Sequence, residues 1–436
     1  MPESLLCHNF FDKSLSNFNQ ARMKTLKACS EALIASDRLT LTSLGRYLAG
    51  RANIKHKIKR VDRFLNNEHL FNQQVEIYAS LAKPIISNLP YLAIAVDWSG
   101  CCRSDYHLLR ASLLVDGRSL VLYNMVVELK DFDTPETNAR FLDNLLQVIG
   151  EHRSVYILSD GGFLTPWYTK VRSLGWHFIG RLRGTMTCKL EGKNTWEKLP
   201  AFHQGASCQP TRLGKARVTQ HSPTACDAFL HLYKGKYKGR KGNSRFTKDT
   251  RMYRRHAHEP WLLATSDNTL TSDQVIKLYS KRMQIEQNFR DDKSQQYGFS
   301  WRFSKTQGVR RMSALCLIAC LASLLLWFVG FEAEQRNWQI MFQANTIKHR
   351  RVLSFLTLAK QVIRHRLHKI KNHYLQKSRE NFLAYYQICS VIEKWGSVSP
   401  KGSVFLSFIR RYCFFMWNNH TLIAMPCLNT HKLLQK

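Results

Sequence analysis

Two short apolar runs, Tyr91-Leu-Ala-Ile-Ala-Val-Asp97 and Val155-Tyr-Ile-Leu-Ser-Asp160, each end on a carboxylate. Apolar runs of this length read as strands buried on both faces. His107 to Val115 and Leu120 to Leu129 read as two more strands, with the hairpin signal Asp116-Gly117 between them. Asn138 to Ile149 is amphipathic and reads as a helix, with Phe141, Leu142, Leu145, Leu146 and Ile149 on one side. A helix from about Thr165 to Leu174 follows, with Pro166 near its first turn, and then a strand from Trp176 to Leu182. Three strands in a meander, then helix, strand, helix, strand, dictate an α/β fold: a mixed sheet flanked by helices.

That layout resembles the ribonuclease-H-like fold. Around it the texture differs. From about Gly184 to Glu259 short strand-like pieces alternate with polar turns, which predicts a β-rich insertion. Within it the basic, Gly-rich run Lys234 to Gly242 is either a DNA-contacting loop or a solvated one. Trp261-Leu-Leu-Ala-Thr-Ser returns to strand character, and Ser272 to about Lys293 reads as one long helix. Ser313 to Phe331 carries no charge and is nearly long enough to span a bilayer. It stands alone between strongly charged stretches, so it is expected to be a helix buried on nearly all faces rather than a membrane span. The final hundred residues read as helical and basic, including Arg364-His-Arg-Leu-His-Lys-Ile-Lys.

Charge narrows the function. Sixty-five Lys and Arg against 31 Asp and Glu give a formal +34. Such an excess calls for a polyanionic partner, with nucleic acid first and an anionic membrane surface second. In the helical N-terminal region Leu41, Leu44 and Leu48 share a helical spacing behind a cap at Thr40 or Thr42. Lys55, Lys57, Lys59, Arg60 and Arg63 follow on a second helix. This is either a DNA-binding module or an ordinary solvated basic face. None of the 12 cysteines forms a C-x-x-C pair, which argues against a structural zinc site, and Cys316 and Cys320 read as core. The first 20 residues are polar and mixed, without a signal peptide, so reduced thiols in a cytoplasm are expected.

Phosphodiester exchange builds charge on both the attacking and the leaving oxygen. Two divalent ions about 3.5–4 Å apart can stabilise it, and hard Mg²⁺ takes carboxylate ligands. Asp97 and Asp160, at strand ends, are candidates, although an Asp there also serves simply to start a turn. A third carboxylate lies on the helix Tyr279-Ser-Lys-Arg282-Met-Gln-Ile-Glu286 through Lys293. Tyr279, Arg282, Glu286 and Lys293 are spaced 3, 4 and 7 apart, on one helical face. That face is either a solvated ladder of ion pairs or a metal ligand with phosphate-binding cations beside it.

The pattern Tyr-x2-Arg-x3-Glu-x6-Lys resembles the motif of the hairpin-forming DDE transposases of bacterial insertion sequences. Val-Asp97-Trp-Ser and Ser-Asp160-Gly-Gly-Phe resemble that family's first two acidic motifs. The resemblance runs from about residue 20 to about residue 360. Past about residue 395, Cys413-Phe-Phe-Met-Trp and the tail to Lys436 depart from it. It implies that Asp97, Asp160 and Glu286 hold two Mg²⁺ ions, with Mn²⁺ as a substitute. It implies that Tyr279, Arg282 and Lys293 grip phosphates near the cut. Trp261 would stack on a flipped base and Met283 would fill the gap left in the duplex; ordinary core packing is the alternative for both. The substrate would be double-stranded DNA, terminal inverted repeats and target, cut and joined by a homodimer in the bacterial cytoplasm or nucleoid.

The expected organisation is a helical DNA-binding domain at 1–85, a catalytic core at 86–183 and 260–335 divided by the insertion at 184–259, and a helical C-terminal region at 336–436 that could dimerise. Three rivals stand beside the cut-and-paste enzyme: an inactive transposase-derived DNA-binding regulator, a ribonuclease-H-like nuclease without strand transfer, and a basic membrane-associated protein resting only on Ser313 to Phe331.

Overall fold

The computed structural model describes residues 6–102, 105–115, 117–152, 154–220, 223, 225–235, 259–344, 346, 347, 349–366, 373–375, 378 and 386. All fall in a unit spanning Met1–Cys389; a second unit, Ser390–Lys436, lies outside the described residues together with the tail motif Cys413-Phe-Phe-Met-Trp. Also outside them are Asp116 of the expected hairpin turn, residues 236–242 of the basic Gly-rich run and 367–371 of the basic C-terminal run.

The chain opens with helices α1 (Leu6–Phe11), α2 (Gln20–Ser36), α3 (Leu41–Tyr47), α4 (Ile54–Leu65), α5 (Glu68–Asn72) and α6 (Gln74–Ile86). Thr40 caps α3 by accepting a hydrogen bond from the Ser43 amide at 3.3 Å. Strands β1 (Leu92–Gly100), β2 (Tyr106–Leu113) and β3 (Leu120–Glu128) form an antiparallel meander. Helix α7 (Pro135–Ile149) then crosses to β4 (Val155–Ser159), and α8 (Thr165–Ser173) to β5 (His177–Arg181). Both crossovers return the chain parallel: β4 pairs with β1, and β5 with β4. Sequence fixes the ends of α7. Thr134 accepts from the Thr137 amide, Pro135 occupies the first turn, and Gly150 at φ +65° stops the helix.

The strand-like pieces after residue 184 extend this same sheet. β6 (Thr187–Leu190), β7 (Glu197–Lys198), β8 (Thr211–Val218) and β9 (Cys226–Tyr233) join through β10 (Trp261–Thr265), giving the order β3-β2-β1-β4-β5-β10-β9-β8-β6-β7. A short helix α9 (Leu199–Phe202) lies between β7 and β8.

The expected single helix from Ser272 to Lys293 is two: α10 (Ser272–Lys281) and α11 (Met283–Lys293). The Arg282 amide bonds back only three residues, to the Tyr279 carbonyl, and the Ile285 amide likewise reaches the Arg282 carbonyl. This local tightening to 3₁₀-type bonds breaks the α-helical ladder at Arg282.

Helix α12 (Val309–Gln335) contains the uncharged run. It is long and apolar enough to cross a membrane, but its apolar stretch is buried inside the protein, packed on α2, β3 and α13 (Phe355–Arg366). Gly330 makes the contact with α13 possible, because a Cβ there would collide with the Phe355 backbone. Trp327 stacks on Phe331 and donates from its indole to the Arg118 carbonyl at 3.0 Å, tying α12 to the β2–β3 connection.

Candidate active site

Parallel pairing places two of the predicted carboxylates together. The β1–β4 register ends with Val96 opposite Ser159, so the next residues, Asp97 and Asp160, leave the sheet side by side. The strand interiors are fully buried, and exposure begins at these two positions. A carboxylate at the tip of a buried strand is held by a rigid scaffold yet can reach solvent and ligand. Asp160 Oδ1 accepts from the Gly162 amide at 2.9 Å, folding the following loop over the carboxylate. At the intervening Gly161 a Cβ would collide with the Arg183 side chain, so the missing side chain admits Arg183 beside the loop.

Glu286 lies in the first turn of α11. The link between it and Asp97 is Arg282. Its Nη1 lies 3.3 Å from Asp97 Oδ2, and its Nη2 lies 2.7 Å from Glu286 Oε1. Burial drives the Asp97 pKa up to about 7; the Asp160 and Glu286 charges add to the rise and Arg282 opposes it. Burial works against the Arg282 charge, but Tyr279, Asp97, Glu286 and Asp160 outweigh it and hold the guanidinium above its ordinary value. Asp97 is therefore poorly solvated in an acidic site, with the Arg282 guanidinium as its charged partner.

Tyr279 is buried at the end of α10, with its ring edge-on to Trp261 at 5.1 Å and the Arg282 guanidinium 5.7 Å from its centre. Met283 is largely exposed, its sulfur 3.8 Å from Arg282 Nη2. Lys293 closes the far end of α11, donating from Nζ to Ser99 Oγ at 2.7 Å, two residues beyond Asp97. Burial lowers its pKa, with Arg110 and Arg302 acting in the same direction and Cys101 and Asp292 against. Asp97, Glu286, Tyr279, Arg282, Met283 and Trp261 are thus joined by these contacts, Asp160 is placed by the strand register, and Lys293 reaches β1 through Ser99. Lys55, Lys57, Lys59 and Arg60 lie outside this set of contacts on α4, where Lys55 and Lys59 point away from the buried Val61, Phe64 and Leu65 and Lys57, half-buried, shares their side. Of these, Arg60 also donates to Thr25 Oγ1 at 2.9 Å, bracing α4 on α2.

Sequence reasoning missed how α11 is held. Its other face carries Gln284, Gln287, Asn288, Asp291 and Asp292. Gln284 Nε2 donates to the Val115 carbonyl at 2.5 Å, and Asn288 Nδ2 to the Ser119 carbonyl at 2.8 Å. Arg118 pairs with Asp291 at 2.6 Å and also donates to Gln287. Arg110 pairs with Asp292 at 2.6 Å, both side chains buried. The spacing 284, 288, 291, 292 is a helical stripe readable in the sequence, but its partners lie more than 160 residues away. Also missed were Arg181 and Arg183, which share Glu259 at 3.2 and 3.5 Å.

Three carboxylates make a hard, all-oxygen donor set suited to a divalent cation. The desolvated Asp97, with two like charges nearby, is the kind of group a cation would relieve. As placed, the three do not form a ready ligand cluster: among the described residues no three His, Cys, Asp or Glu side chains are arranged to hold a metal, and Arg282 engages two of the acids instead. The donor chemistry suits a divalent metal, while the placement has Arg282 paired with two of the acids.

A family model described as "Transposase DDE domain" matches residues 93–324, from β1 into α12 and more than half of the 436 residues. Among curated proteins, none matches the chain.

Proposed function

The chain belongs to the transposase DDE-domain family and is a DDE transposase of an insertion sequence, and we propose that it works by cut and paste through a DNA hairpin. The observation that carries this reading is that Arg282 bridges Asp97 to Glu286 of α11, with Asp160 beside Asp97 at the ends of two parallel strands. The Tyr279-Arg282-Glu286-Lys293 spacing supports the hairpin-forming group and is similar to that of the transposase of the tetracycline-resistance composite transposon. The strand order from β3 to β5 is consistent with a ribonuclease-H-like core, and the domain limits expected from sequence are kept as part of the proposal.

In this reading Asp97, Asp160 and Glu286 would hold two Mg²⁺ ions, or Mn²⁺ in their place. When bound, such ions supply charge stabilisation at the attacking and leaving oxygens of a phosphodiester. The protein's own groups do the rest. Arg282, planar and always charged, exchanges its carboxylate partners for phosphate oxygens of the incoming strand. Tyr279 supports that guanidinium through its ring, and Lys293 offers its ammonium to a phosphate at the Ser99 end of the site. A water cuts one strand; the freed 3′-OH attacks a phosphodiester of the opposite strand, closing a hairpin and releasing the flanking DNA with a 3′-OH; a second water reopens the hairpin; and the 3′-OH attacks a target phosphodiester, displacing a target 3′-OH. No nucleophilic side chain is required. Trp261, beside Tyr279, stacks on the base expelled by the tight hairpin, and the exposed Met283 fills its place. Lys55, Lys57, Lys59 and Arg60 contact the backbone of the terminal repeat, and a homodimer in the bacterial cytoplasm or nucleoid joins the two ends.

The test is a denaturing gel of a labelled terminal inverted repeat incubated with enzyme and Mg²⁺, beside Trp261→Ala. Wild type should give nicked strand, hairpin and joined product, and the variant nicked strand without hairpin. Double-strand cuts with no hairpin, and no joining of a pre-cut 3′-OH end, would favour a nuclease.

A further inference from the structure

Arg110 is buried on β2 directly opposite Asp97 in the antiparallel β1–β2 ladder. Paired residues of such a ladder project to the same face, so the two side chains are neighbours. Arg110 nevertheless directs its guanidinium away from Asp97, to Asp292 and Asn124. Its Nη2 lies 2.6 Å from Asp292 Oδ2 on α11, and its Nε donates to Asn124 Oδ1 at 2.7 Å. Asn124 in turn donates to the Tyr78 hydroxyl at 3.1 Å. The guanidinium lies over the Phe289 ring, 4.7 Å from its centre. A buried chain of polar contacts thus runs from α6 through β3 and β2 to the helix that carries Glu286.

We infer that Arg110 and Asp292 are positioning residues: their ion pair fixes α11, and with it Glu286, against the strand that carries Asp97. The inference rests on the reading of Asp97 and Glu286 as partners in one site. Three features support it. Asp292 and Glu286 share one short helix, so a shift at one end displaces the other. Lys293, the next residue after Asp292, is bound to Ser99 on β1, so the ion pair and this hydrogen bond fix the same helix end to two adjacent strands. The Asp292 carboxylate also satisfies the Arg110 charge, leaving Asp97 to Arg282 and to a ligand. Groups that support metal-binding side chains from behind commonly change metal affinity or activity by about 10–100-fold.

The experiment compares wild type, Asp292→Glu, and the double variant Arg110→Met with Asp292→Leu. The first keeps the charge but lengthens the link by one methylene; the second replaces the pair with apolar side chains that can fill the same space. Thermal melting and binding to terminal-repeat DNA report the fold. Mn²⁺ binding followed by electron paramagnetic resonance, and strand cleavage against Mg²⁺ concentration, report the site. The expected result is wild-type DNA binding in both variants, with Mn²⁺ affinity and cleavage each reduced about 10–100-fold. If the double variant does not fold, Asp292→Glu alone decides. A folded variant with wild-type Mn²⁺ affinity and cleavage would overturn the inference, as would losses that only follow the melting temperature. Glu286→Gln is run alongside: wild-type cleavage by that variant would remove the underlying reading rather than the role of Arg110.

Discussion

Arg282 Nη1 lies 3.3 Å from Asp97 Oδ2 while its other terminal nitrogen holds Glu286, so one guanidinium spans two acids from different elements. A lysine cannot reproduce that fork, because its ammonium is a single point charge. Arg282→Ala and Arg282→Lys should therefore both cut strand cleavage strongly, by roughly 100-fold or more, and the lysine should recover little. Single-turnover cleavage of a terminal repeat measures this; near-wild-type cleavage by Arg282→Lys would show that charge alone suffices.

Lys293 donates to Ser99, a neutral partner, and its proposed role is to hold a DNA phosphate. Lys293→Met should weaken DNA binding and lower the slope of log affinity against log salt by about one, the signature of one lost phosphate contact. An unchanged slope would place Lys293 off the DNA.

The site was legible where local chemistry repeats itself. An apolar run ending in Asp marks a buried strand emerging from the sheet, and it did so at both Asp97 and Asp160. The four-residue separation of Arg282 and Glu286 matches a helical neighbour relation, and the ion pair is there despite the break in the helix. The break itself was hidden, because neither Gly nor Pro marks it. The stripe Gln284, Asn288, Asp291 and Asp292 carried no legible role, since its polar character makes sense only with Arg110, Arg118 and the β2–β3 backbone opposite. That the strands after residue 184 join the same sheet was not legible, because short strands between polar turns carry no signal of which sheet they join.

His231 on β9 is buried and shares a 2.9 Å hydrogen bond with Ser272 at the start of α10. Burial, aided by Arg212, pushes its pKa down from 6.5 to about 4. The folded protein favours the neutral ring, so this stability is present above about pH 6.5 and is lost as pH falls through 6.5 toward 4. At pH 5 the loss is about 1–2 kcal/mol. Melting scans at pH 7.5 and pH 5 should show a smaller drop for His231→Gln than for wild type; equal drops would assign the acid sensitivity elsewhere.

Gly330 lets the Phe355 backbone rest against α12. Gly330→Ala places a methyl group where that backbone sits, forcing α12 and α13 apart at a cost of about 1–3 kcal/mol. Denaturant titration should show the loss, while cleavage at low temperature stays near wild type because the contact is remote from the acids. An unchanged midpoint would mean the two helices yield freely.

The central claim is that Asp97, Asp160 and Glu286 act together in DNA cleavage. Its most direct test is Mg²⁺-dependent cutting of a terminal inverted repeat by wild type and by Asp97→Asn, Asp160→Asn and Glu286→Gln, with DNA binding measured on the same samples. The account predicts that each variant binds the repeat yet loses cleavage by at least ~100-fold. A variant that binds and cuts at the wild-type rate would contradict it.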